Sequence, residues 1–426
     1  MTRIERPLTH GLTKVTGYAL GPYQTAIVRI GFAATWLLFL LRELPHRHEM
    51  YGPDSPWNWD MAQQLIAGNG AFTALMWADG RVWFEIVYAL AVLSSALLML
   101  GWHTRAMSVL FMIGVLSLQN RSIFIGDGGD NVIHLMSTYL VLTRCGQVWS
   151  LDARRHARAR GRAQDETGEE AGAAQPGAGA GVPVDRVGPV LWWVLGLALS
   201  AVTFMGELGG GWLAIFWGLL AVHGLWWTVG RRAPHGELRK LLDVVANLVH
   251  NAGLLIIMVE ACLIYATAGW YKVQGSRWQD GTAVYYPLNL DYFSPWPALS
   301  GLLASHGLIL LAVTYGTVVM QVAFPFTLFN RRVKNVLLTA MMFEHAVIAV
   351  VLGLPFFSLA MITADAVFLP TSFLRRLGGW AARAREGVRA RVLSRLPRRA
   401  ALPDERVGGR SQDTESAQHA RVGFTP

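Results

Sequence analysis

Charge is scarce in this sequence: Asp, Glu, Lys and Arg make up 15% of its 426 residues, against about 25% in an ordinary soluble protein. That leaves too little polar surface to clothe a soluble fold of this length. Cysteine is scarcer still. Cys145 lies near the end of one apolar segment and Cys262 inside another, so no disulfide framework is expected. There is no phosphate-cradling Gly-Lys loop, dinucleotide fingerprint, zinc pair or serine elbow, which removes the common nucleotide-dependent, zinc-dependent and serine-hydrolase classes. Lysine is the rarest charge, with four residues against 33 arginines.

What is there is apolar. Hydrophobic residues make up 53% of the chain, and a bilayer core of about 30 Å needs about 20 of them in a row. Runs of helical length fall near 23–41, 83–100, 106–120, 131–143, 188–206, 211–229, 242–268, 306–328, 335–353 and 355–370. The expected fold is therefore all-α, a polytopic membrane bundle of about 8–10 transmembrane helices under a structured extracytoplasmic roof. The roof would come from two aromatic-rich segments, RELPHRHEMYGPDSPWNWDMAQQLIAGNGAFTALMWADGR and AGWYKVQGSRWQDGTAVYYPLNLDYFSPWP. An aromatic belt at the headgroups explains much of the same pattern.

Basic residues orient the chain. If the N-terminus is cytoplasmic and each run flips the side, thirty Lys and Arg fall inside and six outside. Both termini are then expected in the cytoplasm of a multi-pass cell-membrane protein, and the net charge of +9 is assigned to membrane lipids rather than nucleic acid. Arg29, inside the first run, is expected to snorkel to the headgroups. The organisation expected is a cytoplasmic segment (1–22), a first membrane half (23–150), a disordered basic linker (151–187), an extra helix pair (188–230), a second membrane half (231–374) and a disordered basic tail (375–426).

Four ionisable groups inside or at the edge of apolar runs are candidates for chemistry. Lys272 ends the seventh run on the outer side, where an ammonium in an apolar pocket can shed its proton and serve as a base, which arginine cannot do. The alternative is an interfacial anchor. Tyr265 shares its helical face at i−7 and is otherwise a buried tyrosine bonded to backbone. Glu260 is a carboxylic acid in mid-span, or protonated helix-to-helix glue. His134 follows the acidic turn GDGGDN and is either a packing histidine or an acid–base group. Glu344–His345 and His250–Asn251 are expected to line a polar seam. His46-Arg-His48-Glu49 is weak evidence for a metal, and none is expected.

The run YATAGWYKVQGSRWQDGTAVYY at 265–286 resembles the signature of the horizontally transferred transmembrane domain, the membrane part shared with vitamin K-dependent gamma-carboxylase. VRIGFAATWLLFLL, YALAVLSSALLMLGWHTRAMSVLF, the segment ending in VWSLDA, and FEHAVIAVVLGLPFFSLAMITADAVFL resemble further parts of it, covering 24–152 and 242–370. The resemblance implies that Lys272 stands where the carboxylase has the base that deprotonates vitamin K hydroquinone. Oxygen then attacks the quinol, and the strong base so formed removes a glutamate γ-proton before carbon dioxide is captured. It implies Tyr265 beside that base and His134 assisting; Glu260, Trp270 and Trp278 are expected, with Tyr265, as the groups that bind the quinol. The sequence departs from the family in having Glu260 where glutamine is usual and in lacking a large soluble region after the helices, which puts peptide recognition in doubt. The expected activity is that of a carboxylase-like lyase or oxidoreductase using a reduced quinone. The arginine- and alanine-rich composition suggests a high-GC bacterium and hence menaquinol. The competing reading is a non-enzymatic membrane scaffold, a peptide-maturation or immunity partner, or a lipid carrier.

Overall fold

The computed structural model describes residues 5–167 and 185–395. They divide between two units, Met1–Arg376, which holds the core and the candidate site, and Leu377–Pro426, described as far as residue 395. Every regular element among the described residues is helical. The principal helices are α1 (Glu5–Gly17), α2 (Pro22–Glu43), α3 (Trp59–Asn69), α4 (Arg81–Leu100), α5 (Thr104–Arg121), α6 (Gly128–Leu140), α7 (Leu151–Thr167), α8 (Val187–Met205), α9 (Gly210–Arg232), α10 (Glu237–Gln274), α11 (Gly307–Thr327), α12 (Arg331–Val351), α13 (Pro355–Asp365) and α14 (Thr371–Arg395).

Among the described residues, seven helical stretches are long and apolar enough to cross a membrane, or eight if the bent pair 355–368 and 371–388 is one span. That is fewer than the ten apolar runs. The runs at 131–143 and 355–370 become α6 and α13, of 13 and 11 residues, about 20 and 17 Å at 1.5 Å per residue, too short to cross alone. They pack on one another at their N-terminal ends, where a Cβ on Gly129 would lie 2.5 Å from the Phe357 Cα. The expected linker and tail also differ from expectation. Residues 151–167 and 371–395 are helical, while 168–184 and 396–426 lie outside the described residues. Arg-rich, Ala-rich sequence has high intrinsic helix propensity, which the low hydrophobicity of these stretches obscures.

The main core is built on α2, whose buried residues Ala26, Arg29, Ala33, Trp36 and Leu40 recur at three to four residues, the spacing that puts them on one helical face. Arg29 does not snorkel. It is fully buried, with Nη2 donating to Trp149 O at 2.8 Å, Nη1 to Met99 O at 2.9 Å and to Leu98 O, and Nε to Cys145 O at 3.2 Å. A guanidinium can serve four carbonyls at once because it carries five donors in one plane. Two of those carbonyls belong to the last turn of α4, where Leu98 O also accepts from the Gly101 N–H at 3.0 Å, so the charge of Arg29 meets the negative end of that helix. Gly101, at φ 74°, lets the chain turn there; a Cβ would sit 2.8 Å from Arg29 Nη1.

The aspartate of VWSLDA completes this end of the bundle. Asp152 Oδ1 accepts from the His103 N–H at 2.9 Å, Oδ2 from the Thr104 N–H at 2.8 Å and the Thr104 hydroxyl at 2.9 Å, and Arg155 pairs with it. It caps α5 from a distance and holds His103 at φ 42°, a left-handed conformation unusual for a side chain-bearing residue. Burial pushes the Asp152 carboxyl up, but the Thr104 N–H and hydroxyl and Arg155 outweigh it and hold it below the usual carboxylate range. The folded-state value is the lower one, so its stabilisation is present above the unfolded carboxylate value and is lost as pH falls through the folded one. Asp152→Asn is expected to lower stability by about 1–3 kcal/mol at neutral pH. It should also flatten the acid limb of a melting-temperature profile in detergent; an unchanged acid limb would remove Asp152 from this role.

The two cysteines are unpaired. His250 and Asn251 act in packing. His250 Nδ1 accepts from the Arg144 N–H at 2.7 Å and its Nε2 bonds Leu20 O at 2.8 Å, while Asn251 bonds Leu20, Val15 and Tyr18, tying α10 to the segment between α1 and α2. Residues 44–80 fold as short helices onto the ends of α4 and α5, through Trp83 to Ala74 O (2.7 Å) and Arg121 to Trp57 O (2.9 Å). Residues 275–306 fold near the start of α11, where the Tyr315 hydroxyl donates to Gln279 O at 2.7 Å.

Candidate functional site

The buried face of α10 runs Ile257, Ala261, Tyr265 and Gly269, a strict i+4 stripe that faces other helices for its whole length. Lys272 continues it three residues on, about 10 Å along the axis from Tyr265. Gly269, between them, permits contact with α11: a Cβ there would lie 2.8 Å from Val322 Cγ2 and 3.2 Å from the Val322 nitrogen. The stripe therefore brings α11, α12 and α13 against the two candidate residues.

Those helices bring polar groups. The Tyr265 hydroxyl is hydrogen-bonded to His345 Nε2 of α12 at 3.2 Å, and its ring meets Phe324 of α11 edge-on at 5.6 Å. Asp365, at the C-terminal end of α13, is fully buried beside the Tyr265 phenol, and among the described residues neither of its oxygens has a hydrogen-bond partner of ordinary geometry. His345 Nδ1 is likewise unpartnered. One residue away, Glu344 Oε1 accepts from the Thr317 hydroxyl of α11 at 2.7 Å and acts on the Lys272 ammonium through space, without ion-pair contact. The lysine nitrogen lies 5.1 Å from the centre of the Trp278 ring. Lys272 itself is half-buried, with Trp278 as its aromatic cover.

Lys272, Tyr265 and Trp278 thus fall in one region with Glu344 and His345 of the expected polar seam. The other candidates stand apart. Trp270 is 63% exposed, on the outward face of α10. Glu260 precedes Ala261 of the buried stripe, is half-buried, and has no hydrogen-bond or ion-pair partner among the described residues. His134 is half-buried on α6, and no hydrogen bond, ion pair or ring contact joins its imidazole to the Lys272 group. Sequence reasoning passed over Asp365. Its signal was a lone carboxylate inside the apolar run AMITADAVFL, which by itself marks an intramembrane polar site.

Among the described residues no group of three His, Cys, Asp or Glu side chains could hold a metal ion. In the motif at 46–49, Arg47 and His48 both bond Glu85, at 2.6 and 2.9 Å, and His46 reaches Glu49 at 3.4 Å. Two open clefts lie elsewhere, one lined by His48, Arg81 and Glu85 and one by His10, Lys14 and Tyr18.

The donor set around Tyr265 suits a hydroxylated aromatic ring. Unpartnered carboxyl oxygens and an imidazole nitrogen can accept from ring hydroxyls, aromatic edges can flank the ring, and an amine lies toward the helix end. No family model, curated protein or solved structure matches this chain.

Proposed function

We propose that this multi-pass membrane protein is a carboxylase-like enzyme that binds a reduced lipid quinone among α10, α11 and α12 and uses Lys272 as its base. A bound quinol would supply the reducing power for oxygen-dependent chemistry; the chain's own residues hold and position it. The observation that carries the reading is the convergence of Lys272, Tyr265, Glu344, His345 and Asp365 inside otherwise apolar helices. Ionisable residues at such positions are costly to keep and commonly mark a substrate or proton path. Tyr265, His345 and Asp365 would hold the ring by hydrogen bonds, and Trp278 would shield the amine from water. His134 and Glu260 would act from the margin. The thirty-to-six charge asymmetry supports an extracytoplasmic position for Lys272 and cytoplasmic termini. The resemblance to the horizontally transferred transmembrane domain supports the same chemistry, with menaquinol as the expected quinol and a peptide or protein as one candidate substrate.

One observation favours the competing reading, a scaffold or lipid carrier. The Lys272 nitrogen lies 5.1 Å from the centre of the Trp278 ring, a cation–π contact that a charged interfacial anchor makes as readily as a base. Mass spectrometry of lipids copurifying with the full chain separates the two. A stoichiometric quinone is expected, and its loss in Tyr265→Leu would place it at this site. Phospholipid alone, under gentle extraction, would reject the quinol reading.

A further inference from the structure

Three arginines from three separate segments converge on one indole. Arg239, in the first turn of α10, places its guanidinium carbon 4.5 Å from the centre of the Trp226 ring. Arg105, in the first turn of α5, lies at 4.8 Å, and Arg144, just beyond α6, at 5.8 Å. Trp226 is half-buried near the end of α9, about a turn and a half before Arg231 and Arg232. The cluster therefore sits where the apolar part of α9 gives way to charge, at the level expected for lipid headgroups.

The charges there do not balance. Asp243 pairs with Arg239 at 3.1 Å. Arg144 donates to the neutral Asn247 Oδ1 at 2.7 Å. Arg105 is exposed and has no hydrogen-bond or ion-pair partner among the described residues, and Asp152, which also acts on it through space, is already engaged by Arg155, Thr104 and the His103 N–H. Among the described residues, two of the three guanidinium groups thus have no carboxylate in ion-pair contact, and Asp243 is shared through space by all three, although like charges held this close repel. The indole holds them by cation–π attraction, which leaves their N–H donors free to converge on an anion. A planar fork of donors matches phosphate oxygens, and basic pockets between transmembrane helices bind phospholipid headgroups.

We infer that Arg105, Arg144 and Arg239, gathered on Trp226, form a binding site for a phosphate group, supplied by an anionic phospholipid headgroup or by free phosphate. The site is separate from the quinol reading and stands if that reading fails.

The test uses the full chain in neutral detergent, titrated with phosphatidylglycerol, with phosphatidylcholine and with sodium phosphate at constant ionic strength, followed by native mass spectrometry and by melting temperature. Wild-type protein is expected to prefer phosphatidylglycerol over phosphatidylcholine. Arg105→Gln should weaken binding about tenfold, as expected for one charge-assisted hydrogen bond. Arg232→Gln, at the same end of the bundle but without contact to Trp226, should leave binding unchanged. Stabilisation by phosphatidylglycerol alone assigns a lipid; equal stabilisation by sodium phosphate assigns the free anion. No preference in the wild type would overturn the inference, and so would an equal loss in Arg232→Gln, which would mean diffuse surface charge. The wild-type comparison decides even if a variant does not fold.

Discussion

Lys272→Ala is expected to reduce quinol-dependent turnover by about 10²–10⁴-fold, the range supplied by a positioned general base. The assay is oxidation of menaquinol in membranes or proteoliposomes containing the full chain. Lys272→Arg is the sharper variant. It keeps the positive charge facing Glu344 and the aromatic contact with Trp278, but arginine cannot give up its proton at any working pH. The arginine variant should therefore fold with an unchanged melting temperature and remain as inactive as the alanine one. Full retention of turnover in Lys272→Arg would rule out the base and leave an electrostatic tie between α10 and α12.

The second large effect is on stability. Arg29→Met is expected to destabilise the protein by about 3–4 kcal/mol, since four buried or part-buried carbonyls lose a hydrogen bond at about 1 kcal/mol each, Leu98 O alone keeping another donor in the Gly101 N–H. Methionine has similar length and no polar atom able to replace the guanidinium. Arg29→Lys should recover only part of the loss, because an ammonium has three donors and no planar fork with which to reach Leu98, Met99, Cys145 and Trp149 together. The measurement is the yield and melting temperature of detergent-purified protein. A methionine variant as stable as the wild type would mean that water, or a shift of the α4 end, satisfies those carbonyls.

The two effects differ in how far they were visible in advance. Lys272 stood out by scarcity, and its alignment with Tyr265 follows from helical spacing alone. Arg29 was misplaced as a snorkelling residue. Its depth along α2 was readable, but whether it points to lipid or inward depends on the carbonyls of residues 98, 99, 145 and 149, which no local pattern reports. The seam of Glu344 and His345 was legible as polarity inside an apolar run. Its connection to Tyr265, and the presence of Asp365 beside that tyrosine, were not.

By itself the sequence determined that the described residues are all-helical in their regular structure, that the chain has many segments suited to a bilayer, and which face of α10 carries the amine and the phenol. Those properties depend on composition and on a period of 3.6 residues, both local. Only the tertiary structure decided that two apolar runs are short helices in contact near their N-terminal ends, that Arg29 is an internal brace, that Asp365 faces Tyr265, and that three distant arginines share one indole. Each is a contact between segments tens to hundreds of residues apart, selected by how the helices pack rather than by any one helix.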